Sequence, residues 1–191
     1  YRVASLDAFG GFDRAEMSAL AALADYISLT QKGAIPLLRP PVREIAGQAM
    51  QIDGATRRSL ELTHAMGGGR AGSLLAAIDR TVTAGGARLL ERRLSAPSCR
   101  IETVSERLDS VSMLLDSIDF VRDLRDWLHT AHDLERALSR LALDRAGPRD
   151  MAAIRNTIAA AGRIARNAEG LDLPPLLAAA AADLTGHDTL F

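Results

Sequence analysis

A mainly α-helical protein with at most one short strand is what the sequence predicts, and three observations carry that reading. Aliphatic residues and alanine dominate while aromatics make up only 4% of the chain, a mix that favours helices over a β-sandwich. Apolar residues recur at three- and four-residue spacing through most of the sequence. Prolines and glycines punctuate those periodic stretches. The 191 residues suffice for one domain with a real core, or for one domain plus a piece of another.

The first helix is expected over "FDRAEMSALAALADYISLTQK". Asp13 is placed to cap it and Glu16 stands three residues on, the capping-box spacing. Met17, Leu20, Ala24 and Ile27 recur at helical spacing, and Gly33 lies past the end. "PLLRPPVRE" follows. Its prolines Pro36, Pro40 and Pro41 cannot continue a helix, so it marks the best internal boundary. "QAMQID" alternates as a short strand would, with Met50 and Ile52 on one side. Asp53 then caps a helix through "ATRRSLELT".

"GGGRAG", residues 67–72, reads as a loop, and Ser73 caps the next helix. That helix is expected to run on through "DRTVTAGGARLLERRL" to Pro97. Its buried stripe is Leu74, Ile78, Val82, Leu89 and Leu90, with Gly85 or Gly86 on the same stripe. Two mid-helix glycines should cost roughly 1 kcal/mol each relative to alanine, so either the helix breaks there or something approaches its backbone closely. Further helices are expected over "IETVSERLDSVSMLLDS", with Ile101, Val104, Leu108, Val111 and Leu115 on one face, and over "FVRDLRDWLHT". "DLERALSRLAL" follows, with Asp133 a candidate cap. Pro148 suits the first turn of "RDMAAIRNTIAAAGRIARN", whose stripe is Met151, Ile154, Ile158 and Ala161. Pro174 and Pro175 open a last alanine-rich helix. The total is about seven or eight helices.

The residues point to no chemistry of their own. A net charge of −1 gives no overall attraction for nucleic acid or a membrane. Cys99 is the single cysteine, which rules out an internal disulfide and fits a reducing compartment. "LLAAAAA" is far too short to span a bilayer. "GGGRAGS" lacks the lysine that a Walker loop needs before its Ser or Thr, so it reads as a turn into a capped helix. His129 and His132 have a spacing able to share a metal on a helix, with Asp133 adjacent, but no third ligand stands out and surface histidines are the simpler reading. Arg80, Arg88 and Arg92 fall roughly on one helix face, with Arg57 and Arg58 nearby in sequence, and could track phosphates. Glu91 and Asp79 dilute them, and a salt-bridged face is preferred. No catalytic, cofactor-binding or metal site is assigned. The start at Tyr1 and the end at "TLF" suggest a piece of a longer chain.

"GSLLAAIDRTVTAGGARLLERRLSAP" closely resembles the core-domain signature of the MutS family of DNA mismatch repair proteins. The matching residues are Gly72, Ser73, Leu74, Leu75, Asp79, Thr81, Thr83, Gly86, Arg88, Leu90 and Pro97. "DGATRRSLELT", "ERLDSV", "DLERALSRLAL" and "RAGPRDM" resemble further core segments. "YISLTQKGAIPLLRPP" is similar to the last connector helix and its exit into the core. The likeness covers about residues 9–168. Gly85 departs from it where methionine is usual, Arg93 where tryptophan is usual, and "SCR" after Pro97.

The resemblance implies a domain organisation: the end of a connector domain over 1–34, a Pro-rich linker over 35–41, and the first part of a multi-helix core bundle over 42–191, stopping before the clamp. Its structural motif is Ser73, Asp79, Thr81, Thr83, Gly86, Arg88 and Pro97. It implies a structural and allosteric core coupling the DNA clamp and mismatch recognition to an ATPase. This piece itself would be no enzyme and would hold no cofactor. The parent would be a DNA-dependent ATPase using ATP and magnesium, a homodimer, and a partner of mismatched double-stranded DNA and of MutL. It would act in the bacterial cytoplasm, without a membrane. Rival readings are the core of a MutS paralogue in another DNA pathway, an unrelated helical adaptor, and a small nucleotide-binding enzyme, which the missing lysine opposes. In this setting Gly86 is expected to admit another helix or a connector segment.

Overall fold

The computed structural model describes residues 10–31, 36, 38–43 and 47–187. Among them are nine helices: α1 Arg14–Thr30, α2 Gly54–Ser59, α3 Leu74–Ile78, α4 Ala84–Ser95, α5 Ile101–Asp116, α6 Ile118–Thr130, α7 Leu134–Ala142, α8 Pro148–Ala168 and α9 Pro175–Ala182. The chain divides into two compact units. One comprises Tyr1–Ile45 and Glu135–Met151, the other Ala46–Leu134 and Ala152–Phe191, so the division runs through α8. No described helix is long and apolar enough to cross a membrane.

In the first unit α1 begins with the expected capping box. The Glu16 amide donates to Asp13 Oδ1 at 2.8 Å and the Asp13 amide donates to Glu16 Oε2 at 2.7 Å, so two otherwise orphaned donors are satisfied. Gly33 lies outside the described residues. Arg43, after the prolines, ties back to this helix start through Glu16, at 2.8 Å, and Gly11 O, at 3.1 Å. Met17, Leu20, Ala24 and Ile27 line an open groove of about 420 Å³ with Leu38 and Pro41. Pro148 opens α8 as expected, its missing N–H being one of the helix's orphans anyway. The turn before it is held by the Asp150 carboxylate, which accepts from Gly147 N at 3.0 Å and pairs with Arg140.

In the second unit Asp53 caps α2, accepting from the Ala55 and Thr56 amides at 2.8 and 2.9 Å. The helix stops at Ser59 rather than Thr63. The loop after it folds back onto the start of α3: Leu74 N donates to Glu61 O and Leu75 N to Leu62 O, both at 2.9 Å. Leu62, Ser73 and Leu75 form a small core beneath that loop, Ser73 and Leu75 each only 1% exposed. Leu74 and Ile78, expected inside, lie open to solvent, because the short α3 turns Leu75 inward instead.

"QAMQID" forms no strand. It contributes an isolated antiparallel bridge, Ala49 to Ser98, in which Met50 N donates to Pro97 O at 2.8 Å and Cys99 N to Gln48 O at 2.9 Å. Pairing stops there because each stretch offers only a few extended residues. The single helix expected from Ser73 to Pro97 is two helices, with Asp79–Thr83 non-helical between them. The stripe of α8 is also shifted. Met151 is exposed, whereas Ala160, Ile164, Ala165 and Ala168 are buried, since alanines let neighbouring backbone come close. On α5 the face bearing Ile101, Val104, Leu108, Val111 and Leu115 is exposed along its whole length.

Candidate functional site

The motif residues converge on the joint between α3 and α4. Ser73 opens it: its hydroxyl accepts from Ala76 N at 3.2 Å, capping α3, and donates to Arg70 O at 2.7 Å. Asp79 ends α3 in an extended conformation. Its Oδ1 accepts from the Thr81 amide at 2.9 Å and from the Thr81 hydroxyl at 2.6 Å, a local turn that competes with helix continuation. Its Oδ2 pairs with Arg70 from the glycine-rich loop. The Thr81 hydroxyl and amide, and then the Arg70 guanidinium, hold the Asp79 carboxyl below the usual carboxylate range.

Thr83 starts α4. Its side chain accepts from Gly86 N at 3.0 Å, the N-cap to N3 bond. Gly85 and Gly86 therefore sit in the first turn of α4, not mid-helix, where weak helix propensity matters least. A Cβ at Gly85 would meet nothing within 4 Å, whereas one at Gly86 would lie 3.0 Å from Thr83 Oγ1 and 3.6 Å from Thr81 Cβ. The close neighbours of Gly86 are thus the joint's own threonines. The expected approach of another helix or connector segment is not what the structure contains.

Beyond the joint, Arg88 grips Asp133 in a two-pronged pair, Nη1 to Oδ2 at 2.8 Å and Nη2 to Oδ1 at 3.0 Å. Arg125 of α6 donates to Arg80 O inside the joint at 3.1 Å. Pro97 closes the α4 exit by accepting the Ala49–Ser98 bridge bond. Arg57 fastens the same end, its Nη2 donating to Ser95 O at 3.2 Å. The arginine pattern read from sequence is corrected accordingly. Arg80 lies in the joint rather than on a helix, so Arg80, Arg88 and Arg92 share no helical face. Arg70 and Arg125 complete the joint without standing in the signature, and Asp133, expected as a helix cap, is the partner of Arg88. Arg70 alone could have been flagged, as the one charged residue in "GGGRAG".

The Ser73, Thr81 and Thr83 hydroxyls and the Asp79 carboxylate are all engaged in the joint's own caps and turn. His132 lies past the end of α6, with its amide on Thr157 Oγ1 at 2.9 Å, so it does not share a helix with His129. Among the described residues no three His, Cys, Asp or Glu side chains converge as metal ligands would. Cys99 is exposed.

The fold and joint define a helical structural module: short helices locked together by caps and charge-assisted hydrogen bonds. The MutS domain III family model matches residues 55–187, and the chain belongs to the MutS family. It is 59% identical over 190 residues to the DNA mismatch repair protein MutS of Paracoccus denitrificans, covering 100% of this chain and 22% of that protein. The MutS proteins of Cereibacter sphaeroides and Ruegeria pomeroyi are 57% and 56% identical over the same share. The chain spans about a fifth of the length of these relatives (22%).

Proposed function

We propose that this chain is the coupling core of a mismatch repair protein, transmitting strain between DNA-gripping and ATP-hydrolysing parts of a longer polypeptide. The observation that carries the reading is the α3–α4 joint. A loop with every motif polar group engaged, and with ties to α6 and Asp133, moves its attached helices together or rearranges as a unit. In this reading the parent binds mismatched double-stranded DNA, hydrolyses ATP with magnesium, and acts as a cytoplasmic homodimer with MutL. The names of the similar proteins support the repair assignment. A paralogue in another DNA pathway is disfavoured by that similarity, and an adaptor unrelated to the family is excluded.

The chain itself does no hydrolysis in this reading, because no Gly-Lys-Ser/Thr loop is present in its sequence. It also reads no base pairs. Fluorescence anisotropy against matched and mismatched duplexes at two salt concentrations tests this. Weak binding that falls with salt and is equal for both duplexes is expected, since phosphate contacts carry no sequence information. A mismatch preference at physiological salt, or magnesium-dependent ATP turnover that survives repurification, overturns it.

A further inference from the structure

Arg57 and Arg58, in the last turn of α2, meet the glycine-rich loop around one hollow of the second unit. The hollow holds about 400 Å³, and Arg57, Arg58, Thr63, His64, Met66 and Gly68 are among its walls. Its polar chemistry has one sign: two guanidinium groups, an imidazole and a hydroxyl line it, and among the described residues no carboxylate does. Gly68 has a φ of +89°, and a Cβ there would meet nothing within 4 Å, so the loop presents bare backbone to its surroundings.

The chain's own anions do not neutralise these cations. Asp53 and Glu61 are the carboxylates nearest in sequence, and both are engaged in local structure. Asp53 caps α2 and also accepts from the Thr56 hydroxyl at 2.7 Å. Glu61 Oε1 accepts from the Met66 amide at 2.6 Å and braces the loop. Among the described residues no carboxylate pairs with Arg57 or Arg58. Arg57 is anchored, its Nη2 donating to Ile52 O at 3.3 Å as well as to Ser95 O, while its Nε is buried without a partner. A buried donor without an acceptor costs stability. Arg58 is exposed. His64 Nδ1 lies 3.1 Å from Thr63 Oγ1, a contact that leaves the ring's Nε2 for another group.

We infer that this hollow is a phosphate-binding pocket. Arg57 supplies a positive charge fixed by the fold. Arg58 supplies a second guanidinium, His64 a ring N–H and Thr63 a hydroxyl, the kinds of donor that a tetrahedral oxyanion takes. Met66 offers an apolar flank for the organic part of an ester. The phosphate belongs either to a small ester such as a nucleotide or to a nucleic-acid backbone, which present the same group to these donors. The pocket does not depend on the coupling role.

Inorganic phosphate, adenosine monophosphate and a short DNA duplex are the probes. Each is titrated into the isotope-labelled full chain and followed by amide NMR signals, with ionic strength held constant by chloride. Inorganic phosphate should shift the signals of residues 63–68 saturably, with a Kd of about 1 mM. Arg58→Gln should weaken that binding about tenfold, the loss of one charge-assisted bond, and Arg58→Lys should retain most of it. Arg92→Gln, on α4, should leave it unchanged. Arg58 makes no pair that the fold needs, so the thermal melts of its variants should match the parent's, whereas Arg57 also fastens Ser95 and is left intact. Adenosine monophosphate acting on the same signals at least as tightly as inorganic phosphate assigns a small ester as the ligand. A duplex that displaces phosphate from those signals where adenosine monophosphate does not assigns a nucleic-acid backbone. No saturable shift up to about 20 mM phosphate, twentyfold above the expected Kd, overturns the proposal. So does a shift that Arg58→Gln leaves unchanged.

Discussion

The sharpest contrast at the scale of single residues is between neighbouring glycines. Gly85 faces open space while a Cβ at Gly86 would press on the capping hydroxyl of Thr83. Gly85→Ala should therefore stabilise by about 0.5–1 kcal/mol through lost unfolded-state entropy. Gly86→Ala forfeits much of the cap bond, which is worth about 1 kcal/mol, and should be less stable than Gly85→Ala by a similar amount in urea melts. Thr83→Ala should cost about 1 kcal/mol, with Thr83→Ser retaining most of the stability. Asp79 supplies a pH signature. Its carboxyl titrates lower in the folded than in the unfolded chain, by its bonds to Thr81 and its pairing with Arg70. Its contribution is thus complete above the ordinary carboxylate value near pH 4 and is lost as pH falls through the lower, folded value. Urea titrations at pH 6 and pH 3 should show a smaller stability loss on acidification for Asp79→Asn than for the parent chain. An unchanged difference would remove Asp79 from the joint. The caps at Asp13, Asp53 and Ser73 were legible in the sequence because each acts within three residues. The partners of Arg70 and Arg88 were not, because their pairing is made by the fold.

At the scale of elements, continuous apolar spacing hides the break between α3 and α4. Ile78, Val82, Leu89 and Leu90 keep a helical rhythm across Asp79–Thr83, so periodicity alone predicts one helix. The interrupting signals were present: Asp79 two residues before Thr81, and Thr83 three before Gly86, are turn and cap spacings. Side-chain bonds at those spacings prevail over a weak periodic preference in a segment containing two glycines. Similarly, the a/d rhythm of α5 makes it amphipathic, but no local pattern says which face the rest of the chain covers. The strand expected at "QAMQID" failed for want of a long partner, and only its register with Ser98 survives as a bridge. The Arg88–Asp133 tie tests whether α4 is fastened across these elements. A double-mutant cycle of Arg88→Ala and Asp133→Ala should give a coupling of about 0.5–1 kcal/mol, since the arginine side chain is half exposed and its charge partly screened. Additive losses would mean that the pair transmits nothing.

At the scale of the whole molecule, the proposed role is that of a fastened joint without chemistry that couples distant activities. The motif residues supplied the family, because MutS-like spacing runs through successive segments. The coupling role does not follow from spacing and rests on how those residues are tied together. The most direct measurement uses the 59% identity with the Paracoccus protein over the aligned stretch. This chain would replace that stretch in the full-length relative, with and without Arg88→Ala. ATP turnover would be measured without DNA, with matched duplex and with mismatched duplex. Arg88→Ala should leave turnover without DNA within about twofold of the unsubstituted chimaera, while the difference between mismatched and matched duplex shrinks. A full mismatch response in the Arg88→Ala chimaera would contradict it.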